Sequence, residues 1–188
     1  SEIVINSFRD AFLKNQGIAI ASARAGNVVG GGDWSKNRLI PDIIKAWQAN
    51  ELVNIRRPNA IRPWQHVLEP LYSYITLAEE MWTNPDLAGA YNFGPNTNEA
   101  ATVKEVIDLA KASFPRGKVR FEDGTEGPHE AGLLTLDTSK AHSILAIKSR
   151  WDLKETMSRT MNWYQAQHRG QDTKKLCESD IIAFEEFV

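Results

Sequence analysis

The chain has 188 residues, 42% of them hydrophobic, and carries 22 Lys and Arg against 24 Asp and Glu. That length supports one core with at most a small second lobe. The formal net charge of -2 gives no general attraction to nucleic acid or to an anionic membrane, so any phosphate binding rests on a few placed arginines. Cys177 is the one cysteine, which excludes an internal disulfide framework and a thiolate zinc site and fits a reducing, cytoplasmic setting. No apolar run reaches the roughly 18 residues that span a bilayer, and the N-terminus lacks the basic-then-apolar layout of a signal peptide. A soluble protein is expected.

Ser1 to Phe12 reads as a helix with Ile5, Phe8 and Phe12 on one face. Ser1 is available as an N-cap, but no proline or hydrophobic staple marks a beginning, so the helix is expected to be already under way, with further protein upstream. Gly17 supplies a stop, and Ile18 to Arg24 reads as a strand emptying into the polar run Gly26-Asn27-Val28-Val29-Gly30-Gly31-Gly32-Asp33-Trp34. The mouth of such a strand is where open α/β sheets bind ligands. Pro41 suits the first turn of a helix over Ile40 to Trp47. Leu52 to Ile55 is expected to be an exposed strand, followed by a turn at Pro58-Asn59 and the segment Ala60-Ile61-Arg62-Pro63-Trp64-Gln65-His66-Val67-Leu68-Glu69-Pro70. Glu69 to Trp82 reads as a helix with an apolar face of Leu71, Ile75, Ala78 and Trp82. Ala90 to Phe93 is expected to be a strand ending at the Gly94-Pro95 turn.

Thr102-Val103-Lys104-Glu105 has the form of a capping box and starts a helix to about Ser113. Lys118 to Glu122 alternates as a strand, Asp123-Gly124 turns it, and Leu133 to Leu136 is a further strand candidate. Helices are expected over Ser139 to Leu145 and over Asp152 to His168, the second opening with a possible box at Asp152 and Glu155. Lys174 to Val188 is an amphipathic helix or a loose arm. No internal repeat, low-complexity segment or linker interrupts the chain.

Several side chains have two readings on residue chemistry alone. Asn27 either donates its amide to a phosphate oxygen or bonds its own turn, and the turn is the commoner role for asparagine beside glycine. Arg62 either offers a planar charged fork to a diphosphate or makes an exposed ion pair worth about 0 to 1 kcal/mol. Arg56 and Arg38 are further cationic candidates that solvent alone would also satisfy. Trp34 and Trp64 either stack on a ring or pack, and packing is the usual role. The run Gly26, Gly30, Gly31, Gly32 lacks the dinucleotide-fingerprint spacing. His66, His129, His142 and His168 show no paired metal spacing. No Gly-x-Ser-x-Gly elbow occurs, and Cys177 has no evident histidine partner, so nucleophilic hydrolysis has no support. Asp33 and Glu69 are taken as structural.

Arg24-x-x-Asn27-Val28-x-Gly30, Asn37-Arg38-Leu39-Ile40-Pro41-Asp42 and the Arg62-Pro63-Trp64-Gln65-His66 segment, in this order, resemble the sugar-nucleotide branch of the extended short-chain dehydrogenase/reductase family. Within it the closest resemblance is to the CDP-glucose 4,6-dehydratases, which Pro128-His129-Glu130-Ala131 and Leu136-Asp137-Thr138-Ser139-Lys140 also resemble. The resemblance runs from about Ser1 to Tyr164. It implies an α/β chain, the C-terminal part of a Rossmann-like extended fold with a small mixed α/β substrate-binding lobe. It places Asn27 and Arg62 on the diphosphate of a nucleotide sugar and Arg38 in a segment that closes over the nucleotide, leaving Arg56 a weaker candidate. Glu130 would accept from ribose hydroxyls. A family arginine aligns with Gly127, and His129 would stand in for it. The resemblance further implies NAD as cofactor, CDP-glucose or a related nucleotide sugar as substrate, a homodimer, and no nucleic-acid or membrane partner. It also implies that the NAD turn and the Tyr-x-x-x-Lys pair lie upstream of Ser1. The complete enzyme would pass a hydride from sugar C4 to NAD, eliminate water across C5 and C6, and return the hydride to C6. A dTDP- or UDP-sugar dehydratase or epimerase, and a noncatalytic nucleotide-sugar-binding module, are the alternatives.

Overall fold

The computed structural model describes residues 1–122 and 131–187. Helix α1 (Glu2–Phe8) continues through a π-helical turn (Arg9–Leu13) and a 3-10 turn (Lys14–Gln16). Gly17 ends this run at φ 69, a left-handed conformation that glycine adopts without strain. Ser1 occupies the N-cap without a side-chain capping bond. Phe8 and Phe12 pack with tilted rings at 4.8 Å between centroids, but this apolar face is exposed.

The strand expected from Ile18 begins later, at β1 (Ser22–Ala25). It then changes partner at Gly26. β1 runs parallel to β6 (Ala90–Phe93), whereas β2 (Asn27–Val29) runs parallel to β5 (Trp64–His66). Gly26 N–H donates to the Phe93 carbonyl at 3.2 Å and Asn27 N–H to the Pro63 carbonyl at 2.8 Å. A Cβ at Gly26 would stand 2.3 Å from the Pro63 carbonyl oxygen, so only glycine lets the two backbones approach this closely.

A third parallel pair joins β3 (Leu52–Ile55) to β8 (Lys118–Phe121), and a short antiparallel pair joins β4 (Ile61–Arg62) to β7 (Ala101–Thr102). In β3 the outward positions Leu52 and Asn54 are exposed while Ile55 is buried. Leu133 to Leu136 forms no strand. Its contribution is a single parallel bridge from Leu133 to Ile61, made by the Ile61 N–H donating to the Gly132 carbonyl at 2.8 Å and the Leu134 N–H donating to the Ile61 carbonyl at 3.0 Å.

Helix α2 (Leu39–Gln48) carries Pro41 in its first turn, where the missing N–H costs nothing, and buries Ile40, Ile43, Ile44 and Trp47. These meet Val106 and Ile107 of α4 (Val103–Ser113) and Met157, Met161, Trp163 and Tyr164 of α6 (Leu153–His168) in the main core. The box that starts α4 is complete: Glu105 N–H donates to the Thr102 hydroxyl at 3.1 Å, and Thr102 N–H donates to the Glu105 carboxylate at 2.7 Å. The one at α6 is half made. Asp152 accepts from Glu155 N–H at 2.7 Å, but the Glu155 carboxylate turns to Arg159 at 2.6 Å instead.

Helix α3 (Leu68–Thr83) turns the expected apolar face to solvent, since Leu71, Ile75, Ala78 and Trp82 are all exposed. The buried side is Glu69, Ser73 and Leu77, because Leu77 packs with Tyr91 and Phe93 of β6 and Ala141 of α5 (Ser139–Leu145) in a second, smaller core. The tail resolves as α7 (Thr173–Glu185), with Phe184 buried against Trp151 at 5.0 Å. Among the described residues, no helix is long and apolar enough to cross a membrane.

Candidate functional site

β2, β3, β4, β5 and the first turn of α2 surround one cavity of about 430 Å3. Asn27 enters it as the first residue after the partner change, opening β2 rather than ending β1. The parallel register sets Asn27 opposite Trp64, which brings the Arg62 strand alongside. Arg62 is half-buried on β4, paired with Ala101 across the antiparallel ladder, and its Nη1 donates to the Ile61 carbonyl at 2.8 Å. Arg38 is the N-cap of α2, largely exposed and 3.9 Å from the Asp33 carboxylate. Arg56 follows β3 in a bend and is exposed.

Asn27, Arg38, Arg56 and Arg62 therefore all line the same cavity. His129 and Glu130, together with Gly127, lie outside the described residues. The cavity also takes in Asn37, Asp42, Asn54 and Arg57, which residue chemistry had not singled out. Asn37 adopts φ 61, a conformation asparagine tolerates better than most residues, and its available signals were its place beside the N-cap of α2 and at the head of the Asn37 to Asp42 segment that carries the family resemblance. An adjoining cavity of about 520 Å3 shares Asn27, Asn37, Arg38, Leu39 and Trp64 and extends along the glycine run to Gly26, Gly30 and Asp33.

The lining has two characters. Four arginines, Arg38, Arg56, Arg57 and Arg62, stand against a single carboxylate, Asp42, among the described lining residues. Their forks suit the oxygens of a diphosphate, and the Asn27 amide adds a neutral donor. Leu39, Ile43, Val53, Ile55, Trp64 and Val103 supply apolar walls, the surface a flat ring prefers. The Trp64 indole is held by its N–H to the Ala101 carbonyl at 3.1 Å, so it packs and walls the cavity at once. Arg24 points elsewhere, to Glu2 of α1 and to the Asn92 side chain at 3.1 Å.

Several neighbouring groups serve structure. A Cβ at Gly31 would fall 2.1 Å from the Trp163 ring, so that glycine admits α6 against the mouth. α2 starts only at Leu39, well past the glycines. The described residues therefore do not fit the phosphates of NAD, which need glycines leading straight into a helix. Tyr164 donates to the Asp33 carbonyl at 2.6 Å, and burial pushes its hydroxyl up to about 12, so it is no acid or base. Trp34 packs edge-on against Tyr164 at 5.2 Å. Asp33 accepts from Ser35 N–H at 2.9 Å, and Glu69 accepts from the backbone of Arg150 and Trp151. Among the described residues, no cluster of His, Cys, Asp and Glu could hold a metal.

His66, at the end of β5 behind the glycine mouth, is 2% exposed and packs on Trp151 at 4.8 Å. Its Nδ1 accepts from Leu68 N–H at 3.3 Å, and Nε2 has no partner among the described residues. Burial, with the nearby Arg159 charge, lowers its pKa from 6.5 to about 4. The folded chain thus keeps His66 neutral while the unfolded chain takes up a proton below 6.5. The associated stability is present above pH 6.5 and is lost as pH falls towards 4, about 2 kcal/mol of it by pH 5. Urea unfolding at pH 7 and pH 5 should show this loss in the parent and a flatter response in His66→Phe. Equal pH responses in the two would refute the assignment.

No family model matches the chain. It is 43% identical over 178 residues to CDP-glucose 4,6-dehydratase of Salmonella typhimurium, a match covering 92% of this chain and 50% of that protein. Among solved structures it is similar to UDP-glucose-4-epimerase of Stenotrophomonas maltophilia with bound NAD and formylated UDP-arabinopyranose. That likeness has TM-score 0.72 and 21% identity and covers 90% of this chain and 54% of the epimerase. It is also similar to UDP-glucuronic acid 4-epimerase of Bacillus cereus in complex with UDP-glucuronic acid and NAD, with TM-score 0.71, 16% identity and 86% and 50% coverage. The chain spans about half the length of these relatives. Over 92% of its length the chain is thus similar in sequence to a CDP-glucose 4,6-dehydratase, and its α/β architecture has the fold of the nucleotide-sugar epimerases.

Proposed function

We propose that this chain is the C-terminal, nucleotide-sugar-binding part of a CDP-glucose 4,6-dehydratase. The observation that carries the reading is the convergence of Asn27, Arg38, Arg56 and Arg62 on one cavity, with the relative of 43% identity supplying the substrate. In this reading the diphosphate lies against the arginine forks and the Asn27 amide, and the nucleoside lies along the apolar wall of α2 and β3. Glu130 takes the ribose hydroxyls and His129 supplies the contact left open by Gly127. In this reading the complete enzyme would use NAD as its redox cofactor and would work as a cytoplasmic homodimer making sugars for surface polysaccharide. The described residues of this chain bind and orient the substrate.

The sequence contains no Tyr-x-x-x-Lys, the pair the resemblance places upstream. The chain alone is therefore expected to bind CDP-glucose but not to turn it over. Incubation with CDP-glucose and NAD, followed by assay for a 4-keto sugar, should give no product, and any turnover contradicts this. Calorimetric titration with CDP should give micromolar binding. Absence of binding to CDP, UDP and dTDP alike overturns the nucleotide-sugar reading.

A further inference from the structure

The cavity assigned to the diphosphate contains one group that opposes an anion. Asp42, in the first turn of α2, lines it beside four arginines. Among the described residues, neither an ion pair nor a side-chain hydrogen bond holds its carboxylate. A carboxylate only accepts, and beside a bound diphosphate it weakens binding by repulsion. Its position in a helix first turn suits the helix dipole, but that accounts for the charge at the helix and not for its place in the cavity. The wall around it is formed by Leu39 and Ile43 of α2 and Val53, Asn54 and Ile55 of β3, a predominantly apolar slot of the kind that flanks a ring.

We infer that Asp42 reads the nucleotide base: its carboxylate accepts from the exocyclic amine of a cytosine held between α2 and β3, and thereby selects cytidine over uridine nucleotides. The inference rests on the nucleotide-sugar reading above. The discrimination runs one way. Cytosine carries an N–H2 donor where uracil and thymine carry a carbonyl acceptor. The same carboxylate therefore attracts the first ring and repels the other two. A ribose hydroxyl would also donate to Asp42, but it would do so equally in both nucleotides.

The test is calorimetric titration of the chain with CDP, UDP and inorganic pyrophosphate, using the parent, Asp42→Ala and Asp42→Asn. The parent should bind CDP about tenfold more tightly than UDP, the size expected for one donor–acceptor match against a mismatch. In Asp42→Ala the two nucleotides should bind within about twofold of each other, with UDP unchanged or tighter because the repulsion is gone. Asp42→Asn should do the same, since its amide presents a donor or an acceptor by rotation. A CDP preference that survives both substitutions overturns the inference. So does an equal loss of CDP and UDP, which would assign Asp42 to the ribose or to the helix. Pyrophosphate separates the two levels of the argument. If it binds while the parent fails to distinguish CDP from UDP, the anion cavity stands and base reading fails. If neither nucleotide nor pyrophosphate binds, both readings fail together.

Discussion

Replacing Arg62 by alanine is expected to weaken CDP binding about 100-fold, close to 2.7 kcal/mol. The physical reason is the double role of the guanidinium. It carries a permanent charge, and it presents two parallel N–H groups that match two oxygens of a phosphate. Hydrogen bonds to charged groups are worth about 1.5–3 kcal/mol each, so losing a bidentate pair in a half-buried position exceeds what loss of a surface cation would cost. Arg62→Lys keeps the charge without the fork and should recover only part of the affinity. Asn27→Ala removes a neutral donor from the same cavity and should cost less, about tenfold. Arg62 also donates to the Ile61 carbonyl, so each variant needs a thermal unfolding curve beside its titration. A folded Arg62→Ala variant that binds CDP as the parent does would remove the arginine from the site.

How much of this arrangement could be read from residues depends on how local each cause is. The start of α4 was legible because its cause lies within four positions, where Thr102 and Glu105 satisfy each other's backbone. Gly17 and Pro41 act through their own φ preferences, and the ends they mark were legible for the same reason. The apolar stripe Leu71, Ile75, Ala78, Trp82 was legible as a stripe, but not its exposure. Periodicity reports that a helix has two sides, but only tertiary packing decides which side meets β6 and α5. The break between β1 and β2 was out of reach, since Gly26 is required there by a carbonyl at Pro63. The same limit governed the cavity. Arg38, Arg56 and Arg62 could each be named as a possible anion contact, yet their convergence follows from the β2–β5 register and from the approach of α2 to β3. Arg57 carried no distinguishing pattern and Asp42 none beyond its place at the end of the Asn37 to Asp42 segment, because a first-turn acid and a second arginine have ordinary explanations on an isolated helix or loop.

Glu69 was read as structural, and the fold makes it a costly side chain to truncate. Its carboxylate is 5% exposed, and Oε1 accepts the backbone N–H groups of Arg150 and Trp151 at 2.9 and 2.8 Å. This bond pair ties the segment before α6 to the first turn of α3. The tie also sets Arg150 over Tyr72 at 4.2 Å and Phe184 at 4.9 Å, and places Trp151 on His66 behind the glycine mouth. Glu69→Ala leaves two donors buried without acceptors, at roughly 1–3 kcal/mol each, so the expected loss of stability is about 4 kcal/mol. Glu69→Gln keeps an oxygen able to accept both bonds and should cost only about 1 kcal/mol at neutral pH. Burial raises the Glu69 pKa above its usual value even though the two backbone donors favour the ionised form. The fold therefore holds the proton more tightly than the unfolded chain does. The stability this contributes is fully present below the unfolded value of 4.5 and is lost as pH rises through the folded one. The glutamine variant, which cannot ionise, should accordingly compare better with the parent at pH 7 than at pH 4. Urea unfolding of the three proteins at both pH values reads all of this. An alanine variant within about 1 kcal/mol of the parent would show that the Arg150 and Trp151 amides find other acceptors, and that α3 and α6 are joined by packing alone.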